Sequence, residues 1–275
     1  MKKSRIINKD LNSLIEKYAK NDVISSFEKN YSKDNIKLIK NQSIDDNGFV
    51  SLAQFPFEEV ESISKSLKEN GFYNPIIVRS AKDHYEVILG RKRLIACKSL
   101  GIFDVPCIIH NMSDEETLLT MLADCRERRD ANPYEIALIL NELHHKFNYK
   151  NKDLSLILKQ SPSQITSLIK ILNLPQEILI NLNEGKITYG HLKSFSMLNH
   201  EEAYKVYKYI IDNSLSVRQT ERYVRLFRKQ KEEKKGNPNL IIKENQIILY
   251  FSSKDELKKA KKVIKKLIKK GDIVL

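Results

Sequence analysis

The sequence changes its periodicity near residue 113, and this change most constrains the fold. Between residues 49 and 111, short apolar runs typical of strands alternate with amphipathic runs typical of helices. From residue 113 to about residue 235, the helical period continues without strands, interrupted by proline, glycine and asparagine. The sequence therefore predicts an α+β protein in which a small α/β domain precedes an all-helical domain.

The α/β segment is expected to contain four strands and two helices. The strands are placed at residues 49–55, 75–80, 84–89 and 105–110, and the helices at 56–71 and 91–101. Gly71 and Gly101 close the two helices, because glycine is favoured just after a helix C-terminus.

Residues 1–47 form a polar, lysine-rich segment with one short amphipathic helix. Leu11, Leu14, Ile15 and Tyr18 follow the spacing of one helical face. Packing of this face on the protein is the favoured interpretation, and binding to a membrane or a partner is the alternative. The segment lacks the apolar core of a signal peptide, and no apolar run approaches the roughly 20 residues of a membrane span.

Basic residues are concentrated late in the chain, which has a formal net charge of +13. Residues 217–235 hold eight Lys or Arg and three Glu, a net of +5. Residues 254–270 hold nine Lys, one Asp and one Glu, a net of +7. This distribution favours a polyanionic partner, although a lysine-rich helix can also serve solubility alone.

The C-terminal residues predict a small domain that associates with itself. After a linker at residues 234–239, two strand-like runs are expected to form a hairpin turning at Glu244–Asn245. The last helix carries an apolar stripe that one hairpin cannot bury, formed by Leu257, Ala260, Ile264, Leu267 and Ile268. We therefore expect a homodimer.

Three cysteines, Cys97, Cys107 and Cys125, have no CxxC spacing, and their odd number does not suit a disulfide framework. A reducing compartment is therefore expected. Cytoplasmic localisation follows as the expectation for this chain.

Two short helices at residues 151–159 and 161–172 have the proportions of a helix-turn-helix motif. Ser161 is expected to cap the second helix, with Pro162 at its first position and Gln164 completing a capping box. The outward face would carry small hydroxyls, an amide and a lysine, which suit base edges and phosphates: Ser161, Ser163, Gln164, Thr166, Ser167 and Lys170. An ordinary helical hairpin is the alternative.

Basic residues also follow a glycine where a strand passes into a helix, at Gly90, Arg91, Lys92 and Arg93. A helix N-terminus after a glycine favours bound phosphate, because its first N–H groups point at the ligand. A solvated helix start is the alternative.

Several segments in collinear order, from about residue 49 to residue 230, resemble the ParB family of chromosome and plasmid partition proteins. Residues 85–101 lie where the family has a G-E-R-R-x-R-A motif. Residues 123–137 resemble its E-N-x-Q-R segment followed by Asn-Pro. Residues 161–195 resemble its helix-turn-helix and the following Gly-His helix, which adds His191 and Lys193 to the candidate DNA-binding residues.

The resemblance implies three modules after the segment 1–47. A nucleotide-binding domain at 48–112 would hold CTP with Mg²⁺, and a helical domain at 113–235 would bind a centromere-like site in double-stranded DNA. Residues 236–275 would dimerise and add non-specific DNA binding. A ParA-type ATPase would be the partner, contacted by a basic N-terminal segment whose candidates are Lys2, Lys3 and Arg5.

The same resemblance assigns nucleotide contacts to Gly90, Arg91, Lys92, Arg93, Asp124 and Arg128. The chain departs from the motifs at several of their positions. Arg91 stands in place of a Glu, Lys92 and Ile95 each in place of an Arg, and Cys125 in place of the Asn associated with the metal. Because a thiol is a poor magnesium ligand, no metal ligand is assigned and CTP turnover is expected to be weak.

Two departures affect the DNA-binding motif. Pro162 stands where many relatives carry a basic residue, so a DNA sequence other than the commonest is expected. Lys159 occupies a turn position where relatives often have glycine, and a non-glycine residue there requires a negative φ or some strain.

The resemblance thus implies a partition protein, associated with the nucleoid or a plasmid, that acts as a CTP-gated DNA clamp. A nucleoid-occlusion-like protein, tethered to the membrane, or a plasmid repressor without CTP turnover is the alternative. Two enzyme classes are disfavoured. A nuclease would need acids that can bind a metal ion, but Asp124, Glu127 and Asp130 stand among arginines. A sulfiredoxin-like reductase would need a cysteine next to the phosphate site at Gly90, and Cys97 lies two helical turns away.

Overall fold

The computed structural model describes residues 9–20, 35–236, 239–243, 246–251 and 253–270. The chain divides into two compact units, Met1–Ser214 and Leu215–Leu275. The first unit contains a five-stranded sheet and ten α-helices among the described residues, and the second contains two helices and a hairpin. The predicted α+β class is confirmed.

The sheet of the first unit is mixed. Its strands are β1 Ile36–Lys40, β2 Ile44–Asp45, β3 Ile76–Ala81, β4 His84–Leu89 and β5 Asp104–Ile109, in the spatial order β1-β5-β3-β4-β2. Strands β3 and β4 form an antiparallel hairpin, β3 and β5 are parallel, and β1 lies antiparallel to β5 at one edge.

Helices cover both faces of the sheet. In β3, Ile76 and Val78 belong to a core shared with the helices α2 (Phe57–Asn70) and α3 (Arg91–Leu100). Ile77, between them, faces the other core, which is shared with α4 (Asp114–Glu127). Burial on both faces explains why β3 begins as an unbroken apolar run, as strands in parallel pairs commonly do.

The rest of the first unit is helical. The remaining helices are α1 Lys9–Ala19, α5 Pro133–Lys146, α6 Asn151–Leu158, α7 Pro162–Lys170, α8 Gln176–Asn183, α9 Tyr189–Lys193 and α10 His200–Asp212. Side chains cap them as the sequence predicts, since Ser113, Asn132 and Ser161 each accept a hydrogen bond from a first-turn N–H. Short 3₁₀ turns at Ile171–Asn173 and Ser194–Met197 follow α7 and α9.

The amphipathic helix near the N-terminus packs into the main core. Ile15 and Tyr18 are buried there, and the Tyr18 hydroxyl accepts a hydrogen bond of 3.3 Å from Thr120 in α4. The packing interpretation of this helix is therefore confirmed. The basic residues Lys2, Lys3 and Arg5, predicted to contact a partner, lie outside the described residues.

The strand predicted at residues 49–55 is wrong, because this segment forms consecutive turns. Val50 N–H donates to the Asn47 carbonyl at 3.1 Å, and Ala53 N–H donates to the Val50 carbonyl at 2.9 Å. The apolar residues Val50 and Ala53 suggest a strand in the sequence. In the structure both are buried within these turns, and their carbonyls accept hydrogen bonds from Arg91.

The sheet also begins earlier than expected, since β1 and β2 lie within the polar segment 1–47. Strand β1 has the sequence IKLIK, and only Ile39 of its residues is buried. An edge strand with one buried side chain and two lysines gives almost no periodic signal.

The second unit begins with a long helix, α11 Val217–Gly236, which includes residues 234–236 of the predicted linker. Strands β6 Asn239–Lys243 and β7 Gln246–Tyr250 pair antiparallel, so the predicted hairpin is confirmed, and its turn Glu244–Asn245 lies outside the described residues.

The last helix is α12 Lys254–Lys270. Within the single chain, Leu257 and Ile264 of its apolar stripe remain 37% exposed. The side chains of Leu267 and Ile268 lie outside the described residues. None of the described helices of the chain is long and apolar enough to cross a membrane.

The turn between α6 and α7 is strained. Lys159 ends α6 in the left-handed region, with φ of 54° and ψ of 40°. This conformation costs a non-glycine residue roughly 1–2 kcal/mol. Of the two possibilities that the sequence allowed for Lys159, a negative φ or a strained backbone, the structure shows the strained one.

Lys159→Gly is expected to raise the free energy of unfolding by about 0.5–1 kcal/mol, because relief of strain exceeds the added entropy of the unfolded chain. Lys65→Gly, at an exposed position inside α2, is the matched control and should lower it by about 1 kcal/mol. Urea denaturation followed by circular dichroism measures both. Equal destabilisation by the two changes would contradict the strain at Lys159.

Candidate functional site: a cavity at a helix N-terminus and a groove beside the helix-turn-helix

A cavity of about 220 Å³ lies beside the N-terminus of α3, at the end of β4 and near the end of α4. It is lined by all six residues to which the sequence assigned nucleotide contacts: Gly90, Arg91, Lys92, Arg93, Asp124 and Arg128. The structure thus brings together two motifs that lie about 35 residues apart in the chain.

The start of α3 offers backbone donors to this cavity. Gly90 adopts φ of 100°, and a Cβ atom there would lie 3.2 Å from a guanidinium nitrogen of Arg93. The first helical hydrogen bond runs from Leu94 N–H to the Gly90 carbonyl at 3.0 Å. The N–H groups of the first turn therefore precede the helical ladder, which is the arrangement that binds anions at helix N-termini.

The Arg91 side chain is engaged inside the protein. Its Nε and Nη2 donate to the two carboxylate oxygens of Asp46 at 2.6 and 2.7 Å, and its Nη1 donates to Glu135 at 2.8 Å. Its Nη2 also donates to the carbonyls of Val50 and Ala53 at 3.0 and 2.9 Å. Arg91 was predicted to contact a nucleotide, and these bonds leave its backbone N–H as the donor for one.

A chain of ion pairs continues from Arg91 behind the cavity. Glu135, whose side chain is 2% exposed, also accepts from Nη2 of Arg128 at 3.1 Å. Nε of Arg128 lies 2.7 Å from Oδ2 of Asp124. Acids and bases thus alternate in the order Asp46–Arg91–Glu135–Arg128–Asp124, and burial raises the pKa of Asp124 while the charge of Arg128 opposes that shift.

Sequence reasoning missed Asp46 and Glu135. Glu135 stands in the first turn of α5, where acidic residues are common because they favour the helix dipole. Nothing in the local pattern distinguishes such an acid from a buried partner of two arginines.

Cys125 adjoins the same ion pairs. Its thiol lies 3.3 Å from Nη2 of Arg128 and 3.8 Å from Oε2 of Glu135. Burial and the negative charge of Glu135 raise the pKa of this thiol well above its usual value, so the thiol stays protonated at neutral pH.

Lys92 and Arg93 have different surroundings. Nζ of Lys92 is buried and pairs with Glu59 at 2.7 Å and with Asp130, whose pKa the Lys92 hydrogen bond lowers. Nη1 of Arg93 donates to the carbonyls of Asn74 and Pro75, at 2.5 and 3.2 Å.

The predicted DNA-binding face of α7 is exposed at four of its six positions, namely Ser161, Ser163, Gln164 and Lys170. Ser161 and Gln164 form the predicted capping box, in which Ser161 N–H donates to Oε1 of Gln164 at 2.8 Å. Thr166 and Ser167 are half-buried, and their hydroxyls donate to carbonyls one turn earlier at 2.9 and 3.0 Å.

A groove of about 350 Å³ extends this face toward α9 and α10. Ser167 and Lys170 of α7 line it together with Lys193 of α9. Nζ of Lys193 lies over the Tyr189 ring, 5.2 Å from its centroid. Two exposed lysines from separate helices therefore line the same groove.

His191, another predicted DNA contact, is buried at 9% exposure. Its Nδ1 accepts the backbone N–H of Thr188 at 3.1 Å and lies 2.9 Å from the Thr188 hydroxyl. The ring therefore closes a capping box at the start of α9. His191 thus stabilises the start of α9, the helix that contributes Lys193 to the groove.

Comparison with known proteins decides the family. Residues 25–125 match the ParB N-terminal domain, and residues 129–229 match the ParB HTH domain. A probable chromosome-partitioning protein ParB of Rickettsia prowazekii is 31% identical over 217 residues, which cover 77% of this chain and 74% of that protein. The chain belongs to the ParB family.

Other members of the ParB family are similar over comparable lengths. A nucleoid occlusion protein of a Geobacillus species is 31% identical over 191 residues, 69% of this chain and 68% of that protein. The C-terminally truncated chromosome-partitioning protein ParB from Caulobacter crescentus, complexed to the centromeric parS site, is 26% identical with a TM-score of 0.42, covering 69% of this chain and 98% of that chain. Complexed with CTP-gamma-S, it is 25% identical with a TM-score of 0.32, covering 64% and 98%.

In this ParB-family chain, Arg91→Ala is expected to lower the free energy of unfolding by about 3–5 kcal/mol, because Asp46 loses its cation and the buried Glu135 keeps only Arg128. Arg129→Ala, at an exposed position, is the control and should change it by less than about 0.5 kcal/mol. Thermal denaturation compares the two variants. A cost for Arg91→Ala as small as that of the control would refute the role of this network.

Proposed function

We propose that the chain is a partition protein that recognises a centromere-like DNA site through α7 and the adjoining groove. The observation that carries the proposal is that Lys170 and Lys193 line one groove beside the exposed residues of α7. Exposed hydroxyls, an amide and lysines on and beside a short second helix suit base edges and phosphates. Membership of the ParB family supports the same function.

DNA binding is proposed to require two copies of the chain. Leu257 and Ile264 stay partly exposed on α12, and two partners facing each other would cover both. The exposed lysines of the described part of this helix would then lie outside the interface, where they attract DNA without regard to sequence: Lys254, Lys258, Lys259, Lys261, Lys262 and Lys265.

The cavity at the start of α3 is proposed to bind the phosphates of CTP, the nucleotide that the family resemblance implies. Backbone N–H groups after Gly90 and the side chains of Arg93 and Arg128 fit phosphate oxygens. CTP turnover is proposed to be weak, since the cavity-lining acids Asp124 and Glu135 are both held by Arg128. To activate a water molecule for hydrolysis, either carboxylate would first have to give up its ion pair with Arg128.

Two further assignments remain proposals. A ParA-type ATPase is the proposed partner, contacted through the segment that contains Lys2, Lys3 and Arg5. Association with the nucleoid or a plasmid in the cytoplasm follows from the proposed DNA binding. Membrane tethering through α1, the basis of the nucleoid-occlusion alternative, is not favoured, because Ile15 and Tyr18 of that helix are buried in the core.

Lys170→Ala should weaken binding to the specific site by about 1–3 kcal/mol if the ammonium touches a base edge, while leaving binding to random DNA unchanged. The site is first recovered by selection from random-sequence duplexes, and fluorescence anisotropy at fixed salt then measures both affinities. Lys65→Ala, exposed on α2, is the control and should have no effect. An equal loss on random DNA would assign Lys170 to a phosphate, and no loss on either DNA would remove it from the interface.

Leu257→Glu combined with Ile264→Glu should produce a monomer by light scattering. Burying an unpaired carboxylate at an interface costs at least about 2 kcal/mol, and a dimer of this variant would bury four of them, so the dimer weakens by roughly a millionfold. Lys258→Glu combined with Lys265→Glu changes the charge further but leaves the apolar stripe, and it should remain a dimer. If the first variant also stays dimeric at low micromolar concentration, α12 is not the interface.

A further inference from the structure

The donor atoms around the cavity do not suit Mg²⁺. This ion takes oxygen ligands at about 2.0–2.1 Å in near-octahedral geometry. Asp124 is held by Arg128, and Glu135 by both Arg91 and Arg128. Asp130 is held by Lys92, which also holds Glu59. Each of these carboxylates would have to leave a cation of the protein before it could bind a metal ion.

Cys125 adds a second obstacle to a metal. Its buried, protonated thiol lies between Glu135 and Arg128, and a neutral sulfur is a poor ligand for a hard cation. Among the described residues, no cluster of three or more His, Cys, Asp or Glu side chains has the arrangement of a metal site.

The Arg128 guanidinium can supply the positive charge that a bound metal ion would otherwise supply to a phosphate. It lines the cavity, and its Nη2 anchors it to Glu135 at 3.1 Å. Its Nε is buried against Asp124, 2.7 Å from Oδ2, yet 28% of the Arg128 side chain remains accessible. An anchored guanidinium that is still partly accessible is suited to a phosphate oxygen, because its planar fork forms charge-assisted hydrogen bonds.

We infer that this cavity binds nucleotide phosphates without a divalent cation, with the Arg128 guanidinium in the place that a metal ion would take. The N–H groups that open α3 provide the other donors. The inference rests on the proposed nucleotide binding and sets its cation requirement. Free Mg²⁺ then competes with Arg128 for the same phosphate oxygens instead of bridging them to the protein.

Titration calorimetry of the full-length protein with CTP, in EDTA and in excess MgCl₂, tests the inference. The affinity in Mg²⁺ should equal that in EDTA within about threefold, or be weaker. Tightening by Mg²⁺ of more than about threefold would overturn the inference while leaving the proposed nucleotide site intact. An absence of binding under both conditions would overturn both.

Arg128→Ala gives an independent test. In EDTA it should weaken CTP binding by at least about tenfold, the loss of one charge-assisted hydrogen bond. Mg²⁺ should restore part of that affinity, because Asp124 loses the cation that holds it. Arg129→Ala, exposed and adjacent, should bind as the unmodified protein does under both conditions.

Thermal denaturation first establishes that the Arg128→Ala variant is folded. The comparison of CTP binding in EDTA and in MgCl₂ uses the unmodified protein and does not depend on this variant. A folded Arg128→Ala variant that binds CTP in EDTA as tightly as the unmodified protein would overturn the role of the guanidinium. If Mg²⁺ did not raise the weakened CTP affinity of the variant, the claim that Arg128 takes the place of a metal ion would be overturned.

Discussion

The buried guanidinium of Arg91 is the interaction on which the first unit depends most. A buried charge costs several kcal/mol unless it is paired and hydrogen-bonded. Arg91 meets this requirement with the carboxylates of Asp46 and Glu135 and the carbonyls of Val50 and Ala53. These groups come from the loop before α2 and from the first turn of α5, so both must be in place before the charge is compensated.

The same loop also joins the α/β part to the helices that follow. Nδ2 of Asn132 donates to the Gln54 carbonyl at 2.6 Å, and Nδ2 of Asn183 donates to the Leu52 carbonyl at 3.1 Å. The two amides also bond to each other at 3.1 Å. Loop carbonyls that would otherwise be buried without partners are thus satisfied by side chains of the helical part, which holds the two parts together.

Helix α5 connects the two candidate sites within this unit. Its first turn contributes Glu135 to the ion pairs behind the cavity, and its length packs against α7, whose outer face carries the proposed DNA contacts. Both sites therefore rest on the same rigid element. The cavity itself is formed by charges that mostly compensate one another, which leaves helix N–H groups and the edge of Arg128 as its means of holding an anion.

Much of this protein could be predicted from short stretches of sequence, because the signals act within a few residues. The glycines that end α2 and α3, the capping boxes at Ser113 and Ser161 and the helical period after residue 113 depend on local backbone chemistry. The family motifs added the six residues that line one cavity. Where the outcome depended on partners distant in the chain, local patterns failed. Only the tertiary structure decided that residues 49–55 turn instead of forming a strand, that Arg91 bonds inward, and that Glu135 and Asp46 complete the site, since these contacts join residues 38 to 45 positions apart.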